Sequence, residues 1–257
     1  MRIKETSIAL YTIVHRELRR FLRIWMQTLV PPAITMSLYF VIFGNLIGPR
    51  IGEMGGFGYM EFIAPGLIMM SVITNSYGNV VSSFYGTKFQ RNIEELLVSP
   101  IPISIILIGY VLGGVARGLS VGFIVTCLSL FFTDLHIHSL WVTLSVVLLT
   151  STLFAMAGFI NAIYANSFDH IAIVPTFILA PLTYLGGVFY SISLLPEFWQ
   201  QVSLINPILY MVNTFRYGIL GVSDIPLGLA FSIIIGFVVG LYCYAYYLLR
   251  IGKGIRQ

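Results

Sequence analysis

The residues that could carry out chemistry in this sequence are few and scattered. His136 and His138 lie two positions apart, but without a full set of zinc ligands they indicate an ordinary solvated turn. Lys253 stands between two glycines, yet the upstream glycine and the hydroxyl residue of a phosphate-binding loop are missing. No Gly-x-Ser-x-Gly motif is present. We therefore expect no catalytic residue, no metal site and no cofactor-binding residue in this chain.

The composition indicates that lipid, and not water, surrounds most of the chain. Of its 257 residues 58% are hydrophobic and only 9% are charged, and the mean hydropathy is +0.91. A soluble domain carries about 25% charged residues, which it needs for a polar surface. The net charge of +4 does not indicate a nucleic-acid partner, because the cations cluster beside the apolar runs.

Six apolar stretches are long enough to cross a bilayer as helices, which takes roughly 20 residues each. The predicted fold class is therefore an all-α integral membrane protein with six transmembrane helices. We predict the spans at Ile24–Ile47, Phe62–Phe84, Ile103–Phe132, Leu140–Tyr164, Ile171–Tyr190 and Leu227–Leu249. The whole chain is one membrane domain, with a helix over 1–23, five spans over 24–190, an external region over 191–226, the last span over 227–249 and a tail over 250–257.

The distribution of lysine and arginine predicts the orientation of these spans. Six such residues lie in the N-terminal segment, including Arg2, two follow the second span, and three, including Arg256, lie in the tail. The loops on the opposite side hold only Arg50 and Arg216. Cytoplasmic loops carry the excess of positive charge, so both termini are predicted to be cytoplasmic.

The segment between the second and third spans predicts a short amphipathic helix on the cytoplasmic side. Its apolar residues follow one face of a helix and its polar residues occupy the remainder. The apolar residues are Phe89, Ile93, Leu96 and Leu97, and the polar residues are Lys88, Gln90, Arg91, Asn92, Glu94 and Glu95. Such a helix could lie on lipid, but anionic headgroups would repel the adjacent glutamates. A protein partner is the preferred interpretation.

The N-terminal segment also has the pattern of an amphipathic helix. Leu10, Val14, Leu18, Phe21 and Trp25 recur at helical spacing, and arginines lie beside them. This pattern predicts an interfacial helix that leads into the first span. The alternative is a plain positively charged tail.

The external region from Gly186 to Asp224 is too rich in aromatic residues for a solvated loop. Aromatic side chains suit the membrane interface, and two prolines divide the region into short pieces. We predict re-entrant or interfacial helices that close the outer end of a pathway; the alternative is an aromatic belt without a transport role. The candidate residues are Gly186, Gly187, Phe189, Tyr190, Pro196, Trp199, Asn206, Pro207, Tyr210, Phe215 and Arg216.

Arg117 is the one charge inside a predicted span. A charge at mid-bilayer costs about 2.5–3.5 kcal/mol on insertion scales, so the side chain should face protein or water. It could pair with backbone carbonyls or contact a substrate, and both interpretations stay open. Cys127 and Cys243 both fall within apolar runs, so we expect two buried thiols without a disulfide.

Three stretches resemble the permease subunits of type-2 ABC exporters, in particular the small bacterial inner-membrane permeases of that family. They are F-Q-R-N-I-E-E-L-L-V-S-P (Phe89–Pro100), P-L-T-Y-L-G-G-V-F-Y-S (Pro181–Ser191) and N-P-I-L-Y-M-V-N-T-F-R-Y-G (Asn206–Gly218). The resemblance extends over nearly the whole chain. It implies a coupling helix between spans two and three and outer re-entrant helices before the last span.

The resemblance also implies partners and a function. Two copies of the permease would work with two ABC ATPase subunits on separate chains, and ATP and magnesium would bind to those subunits. The assembly would export an unidentified compound by alternating access, along a path at the dimer interface lined by spans one, two and five. The alternatives are an ion-driven carrier or channel, which requires buried acidic residues, and a lipid-modifying membrane enzyme, which requires a polar catalytic cluster.

Overall fold

A computed structural model describes residues 3–253 of the protein, without the side chains of Ile3 and Leu97. Arg2 and Arg256, which entered the charge count, lie outside the described residues. Within this range the chain is almost entirely helical, so the predicted class of an all-α membrane protein is confirmed.

The described helices follow one another with short connections. In chain order they are α1 (Ile3–Arg23), α2 (Trp25–Ile51), α3 (Tyr59–Phe89), α4 (Asn92–Val98), α5 (Ile103–Ser129), α6 (Leu140–Tyr164), α7 (Phe168–Tyr184), α8 (Glu197–Ser203), α9 (Pro207–Leu220) and α10 (Leu227–Ile251). A two-stranded antiparallel hairpin, β1 (Glu53–Met54) and β2 (Phe57–Gly58), joins α2 to α3. We call the two ends of the molecule the α4 end, which includes α1, and the hairpin end.

Each predicted span falls on one of these helices, although the helices differ in character. In the described part of the chain, α2, α5, α6 and α10 are long and apolar enough to cross a membrane. Helix α3 has 31 residues but is less apolar than these four helices, because it carries polar residues such as Asn75, Ser76 and Asn79, which are buried in the protein. Helix α7 is apolar but shorter. The number of six spans stays a prediction.

The ends of the helices follow from residues with known terminal preferences. Helix α9 begins at Pro207, and the Asn206 side chain caps it by accepting a hydrogen bond from the Ile208 amide at 3.0 Å. The same helix ends at Gly221, whose φ of 79° requires a left-handed conformation. Gly252 ends α10 in the same way. These stops separate α9 from α10 and keep α9 short.

Two helices contain a π-helical stretch, a rare geometry that is frequently found at functional sites. Residues Phe40–Ile47 of α2 and Pro175–Leu179 of α7 have this geometry. In α7 the stretch begins at a proline, which lacks the amide hydrogen that an α-helical turn would use. The irregular backbone therefore lies in the helices that correspond to predicted spans one and five.

Helix α3 lies at the centre of the bundle and packs against α5, α6 and α9. Glycines on α5 permit this close approach. Gly114 and Gly122 face α3, and Cβ atoms at these positions would come within 2.5 and 2.7 Å of valine side chains there. Gly109 and Gly113 lie on another face of α5 and admit α1 in the same manner. The α1 helix is thereby held against the bundle.

A methyl group at Gly158 should destabilise the bundle. A Cβ atom there would lie 2.5 Å from the Tyr77 carbonyl oxygen of α3, and backbone atoms cannot rotate away. Overpacking of this kind costs about 1–3 kcal/mol, so Gly158→Ala should lower the midpoint of thermal inactivation. Gly236→Ala in α10 is the matched control, because a Cβ atom at that position would meet no described neighbour within 4 Å. Fluorescence-detected size exclusion after heating measures both; equal midpoints for the two variants would contradict the predicted packing.

The prediction of buried thiols is wrong. Cys127 and Cys243 are both exposed on the surface of the single chain, and within the described residues neither forms a disulfide. Their helices present apolar outer faces to the bilayer, so an apolar sequence position does not imply a position inside the protein. The same holds for Met26, Leu38 and Leu46 of α2, which are 69%, 57% and 64% exposed.

Candidate coupling surface and outer cap

The α4 end carries the helix predicted as a coupling element, with a later start than expected. Helix α4 begins at Asn92, whereas the apolar pattern placed the start at Phe89. Arg91 interrupts the backbone with φ of 62°, which is uncommon for a residue other than glycine. Phe89 is consequently the last residue of α3 and shares no helix face with Ile93.

This break changes which residues are available to a partner. Ile93 is 1% exposed and packs into the core of its own chain, and Leu96 is half-buried, so neither is free as an anchor for another protein. Phe89 and Val98 are 64% and 88% exposed. The remaining candidate residues Gln90, Arg91, Asn92, Glu94 and Glu95 are all exposed. The side chain of Leu97 lies outside the described part.

Lys88 ties α3 to the end of α6, a contact that the spacing of residues did not reveal. Its ammonium group donates hydrogen bonds of 2.7 Å to the carbonyl oxygens of Ile163 and Ala165. These carbonyls end α6, where a cation is favoured by the helix dipole and by unsatisfied acceptors. Lys88 thus connects the α4–α3 junction directly to α6.

An aromatic cluster makes a second connection at the same end. The rings of Tyr85 and Phe89 on α3 meet the ring of Phe168 at centroid distances of 4.9 and 5.2 Å. Phe168 is the first residue of α7, and Ser167 caps that helix by accepting from the His170 amide at 3.2 Å. The junction that carries α4 therefore contacts both α6 and α7.

Arg216 is the centre of the contacts at the hairpin end, which we call the outer cap after the predicted external position of this region. We expected it in an external loop, but it is 1% exposed and lies within α9. Its Nε donates to the Phe62 carbonyl at 3.2 Å, and its Nη2 donates to the Gly187 carbonyl at 2.6 Å. The guanidinium carbon also lies 3.9 Å from the centroid of the Phe62 ring. One side chain thus joins α9, the start of α3 and the turn after α7.

Asp224 holds the next part of the cap. Its two carboxylate oxygens accept hydrogen bonds from the Ser191 hydroxyl at 2.8 and 2.9 Å, and the Ile192 amide donates to one of them at 3.3 Å. The Asp224 amide in turn donates to the Asn213 side chain at 3.2 Å. These bonds fasten the connection between α9 and α10 to the chain that follows Tyr190.

The other predicted residues of the outer region divide between the protein interior and its surface. Gly186 and Gly187 form the turn after α7, where Gly187 has φ of 72°. The side-chain amide of Asn206 donates to the Leu182 carbonyl at 2.6 Å. Tyr210 and Phe215 are buried within the protein, and their position at the depth of the membrane interface stays a prediction. Phe189, Tyr190 and Pro207 are half-buried, whereas Pro196 and Trp199 are exposed.

Arg117 pairs with the protein on the side that faces α2 and α3. One guanidinium nitrogen lies 3.2 Å from the Asn75 side-chain oxygen and 3.4 Å from the Thr28 carbonyl. Pairing of Arg117 with protein groups, one of the two possibilities left open by the sequence, therefore has two identified acceptors. Its contact with a substrate stays a prediction without support from these distances.

The N-terminal helix contains a buried acid, although its sequence pattern predicts a surface helix. Glu17 is 1% exposed, accepts a hydrogen bond from the Ser83 hydroxyl at 2.8 Å and lies 3.4 Å from Arg20. Arg20 donates to the carbonyl and to the side-chain oxygen of Asn79, at 3.0 and 2.7 Å. This polar contact with α3 could not be predicted from the hydrophobic pattern of α1.

His136 and His138, which were predicted to lie in an ordinary solvated turn, are both exposed. The His138 ring packs against Tyr217 at a centroid distance of 5.3 Å, and the His138 amide donates to the Ile219 carbonyl at 3.1 Å. Among the described residues no group of three or more histidine, cysteine or carboxylate side chains could hold a metal ion.

Comparison with known proteins connects these features to a family. The family model described as ABC-2 type transporter matches residues 8–220. Inner membrane transport permease YadH of Escherichia coli K12 is 60% identical over 251 residues, which cover 97% of this chain and 98% of the relative. Nodulation protein J of Rhizobium meliloti is 25% identical over 213 residues, covering 81% of this chain and 77% of the relative. Members of this family are transport permeases without enzymatic activity of their own. The chain therefore belongs to the ABC-2 type transporter family, as the membrane permease subunit of an ABC transporter in the bacterial inner membrane.

Proposed function

We propose that this permease exports its substrate by alternating access, driven by ATP hydrolysis on a separate ATPase subunit. The active assembly contains two permease chains and two ATPase subunits, and ATP with magnesium binds to the ATPases. The sequence supports this division of labour because it has no phosphate-binding loop of its own.

The observation that carries the proposal is the arrangement of α4. Ile93 anchors the helix in its own bundle, while Glu94 and Glu95 point away from it and are exposed. A partner that binds the exposed charges can displace such a helix while its buried residue stays packed in the bundle. Acidic side chains at this position fit a basic surface on the ATPase.

The contacts at the α4 end provide a route for the motion. Movement of α4 shifts the end of α3, and Lys88 and the Tyr85–Phe89–Phe168 cluster pass that shift to α6 and α7. Packed helices transmit displacement because their cores are dense. The outer cap around Arg216 then closes or opens the hairpin end as the helices rock.

The substrate path runs along the interface of two permease chains, lined by α2, α3 and α7. Helix α3 presents Thr74, Gly78, Ser82 and Gly86 at four-residue spacing, which places them on one face. Thr74 and Ser82 are exposed, and a Cβ atom at either glycine would meet no described neighbour within 4 Å. A polar, open face on a central helix suits a path better than it suits lipid.

Six spans with both termini in the cytoplasm complete the proposal. At 1.5 Å per residue, the 31 residues of α3 reach about 46 Å, which exceeds a hydrocarbon core of about 30 Å. The buried position of α3 explains why it tolerates polar residues. The arginines of α1 and the exposed α4 lie at one end of the molecule, where an ATPase must dock.

An ion-driven carrier is the second candidate, because Glu17 is a buried acid of the kind such carriers use. Ser83 and Arg20 already engage this carboxylate, however. Transport into inside-out vesicles that requires ATP and persists after the proton gradient has been collapsed would reject the carrier.

Association with an ATPase tests the proposed function directly. Tagged permease purified in mild detergent should retain a P-loop ATPase subunit at equal stoichiometry, and ATP turnover of that complex should exceed the turnover of the ATPase alone. Mass spectrometry identifies the subunit, and native mass spectrometry measures the copy number. A permease that purifies without any ATPase, and transports without ATP, would contradict the proposal.

A further inference from the structure

Helix α1 borders a wide cationic groove that the coupling and the outer cap do not use. The groove has a volume of about 960 Å³ and lies at the α4 end. Its lining includes Tyr11, His15 and the four arginines Arg16, Arg19, Arg20 and Arg23.

The charges of this groove are mostly uncompensated. Arg16 donates to the Tyr110 hydroxyl at 2.7 Å, and Arg20 is held by Asn79. The Glu17 carboxylate lies 3.5 Å from Arg16 and 3.4 Å from Arg20, so one acid stands beside four arginines. Within residues 3–253, Arg19 and Arg23 have no hydrogen-bond or ion-pair partner. A fixed pair of arginines therefore stands beside a free pair.

Exposed apolar side chains follow directly after the arginines. Leu22, Trp25 and Met26 are 52%, 52% and 69% exposed, and they continue from Arg23 into the apolar helix α2. A tryptophan next to arginines at the start of an apolar helix is typical of the headgroup region of a bilayer. A ligand that contacts both the arginines and these apolar side chains must have an anionic head and an apolar tail.

We propose that the α1 groove binds the headgroup of an anionic phospholipid, with Arg19 and Arg23 on the phosphate and the acyl chains against Trp25 and Met26. Arginine forks match phosphate oxygens in bidentate geometry, and the fixed Arg16 and Arg20 supply additional positive potential. Clusters of basic residues on an amphipathic helix attract anionic lipids with about 1 kcal/mol for each charge. Lipid binding here fixes the depth of α1 in the membrane interface and does not depend on the ATP-driven function proposed above.

Quenching of Trp25 fluorescence tests this site. Trp141→Phe and Trp199→Phe leave Trp25 as the sole tryptophan of the three in the chain. The protein is reconstituted in phosphatidylcholine vesicles that contain a minor fraction of brominated phosphatidylglycerol or, separately, of brominated phosphatidylcholine. Brominated phosphatidylglycerol should quench Trp25 more strongly, and high salt should weaken this preference. Removing two charges by Arg19→Gln with Arg23→Gln should lower the preference by about thirtyfold.

Two control variants keep the test decisive. Arg19→Lys with Arg23→Lys preserves the charge and should keep most of the preference, which separates loss of charge from misfolding. Arg50→Gln removes an exposed cation beside the hairpin and should leave the preference unchanged. Equal quenching by the two brominated lipids in the parent protein, or an unchanged preference in the double glutamine variant, would overturn the proposal.

A competition arm distinguishes the lipid from a free anion. Glycerol 3-phosphate and inorganic phosphate carry the same phosphate chemistry without acyl chains. If the groove binds lipid, neither compound should reduce quenching by brominated phosphatidylglycerol beyond the effect of matched sodium chloride. Complete displacement by either compound would assign the groove to a soluble phosphate and reject the lipid.

Discussion

Reversing Glu94 and Glu95 to lysine should uncouple the permease from its ATPase. Both side chains are exposed on α4, so the change adds positive charge where we propose a basic partner surface. Like-charge contacts across an interface cost several kcal/mol. A loss of roughly 3 kcal/mol weakens association about a hundredfold. Stimulated ATP turnover and co-purification should both fall to background.

The fold of this variant should persist, because neither glutamate packs in the core. Ile93 retains its buried position, and the Ser99 hydroxyl still closes the helix by donating to the Leu96 carbonyl at 2.6 Å. Expression level and size-exclusion profile measure this directly. Glu53→Lys with Glu197→Lys is the matched control, with two exposed acids at the hairpin end. Normal coupling in the α4 variant would place the ATPase contact elsewhere, with the exposed face of α1 as the next candidate.

The predicted helix positions depended on hydrophobic runs, and these were reliable where the runs had clear ends. Helix α6 spans Leu140–Tyr164, the predicted bounds, because polar residues flank a continuous apolar run. Helix α5 starts at Ile103 as predicted, since Pro102 precedes it and suits a helix start. Local sequence determines such boundaries, and no tertiary contact is needed to find them.

The coupling segment was predicted less well, for a backbone reason. The periodicity of Phe89 and Ile93 fits one continuous helix, but Arg91 adopts a left-handed conformation that breaks it. Glycine or asparagine usually occupies a left-handed position, so an arginine in the sequence does not indicate one. The chain therefore buries Ile93 in its own core and leaves the glutamates outside.

Contacts between distant residues could not be predicted from spacing at all. Lys88 and the end of α6 are separated by about 75 positions, and nothing in either segment identifies the other. The burial of Glu17 and Arg216 has the same origin, because groups that are distant in the sequence form hydrogen bonds with each of these charges. Sequence analysis places the charged residues of an apolar protein in loops. This assignment is wrong where the helix bundle offers hydrogen-bond partners to a buried charge.

Arg216→Ala should cause the largest loss of stability among single substitutions in the outer cap. The Gly187 carbonyl would lose its donor while staying buried, and an unsatisfied acceptor of this kind costs about 1–3 kcal/mol. The Phe62 carbonyl would lose one hydrogen bond but keep its place in the backbone ladder of α3. The contact with the Phe62 ring would also vanish, which is worth about 2 kcal/mol when desolvated. Removing a buried charge recovers desolvation energy, but alanine leaves a cavity that offsets this gain.

Arg216→Lys separates the geometry of the guanidinium from its charge. Lysine keeps the positive charge, but a single ammonium group cannot reproduce a planar fork that reaches two carbonyls from two nitrogens. We therefore expect both variants to lose folded protein on heating at a lower temperature than the parent, whereas Arg50→Ala at the exposed end of α2 should behave like the parent.

Limited proteolysis from the outer face should cleave the segment between Tyr190 and Asn206 first, because the turn that precedes this segment is released when the Gly187 carbonyl loses its donor. Parent-like stability in both variants would mean that packing of Tyr210 and Phe215, and not the arginine, holds the outer cap together.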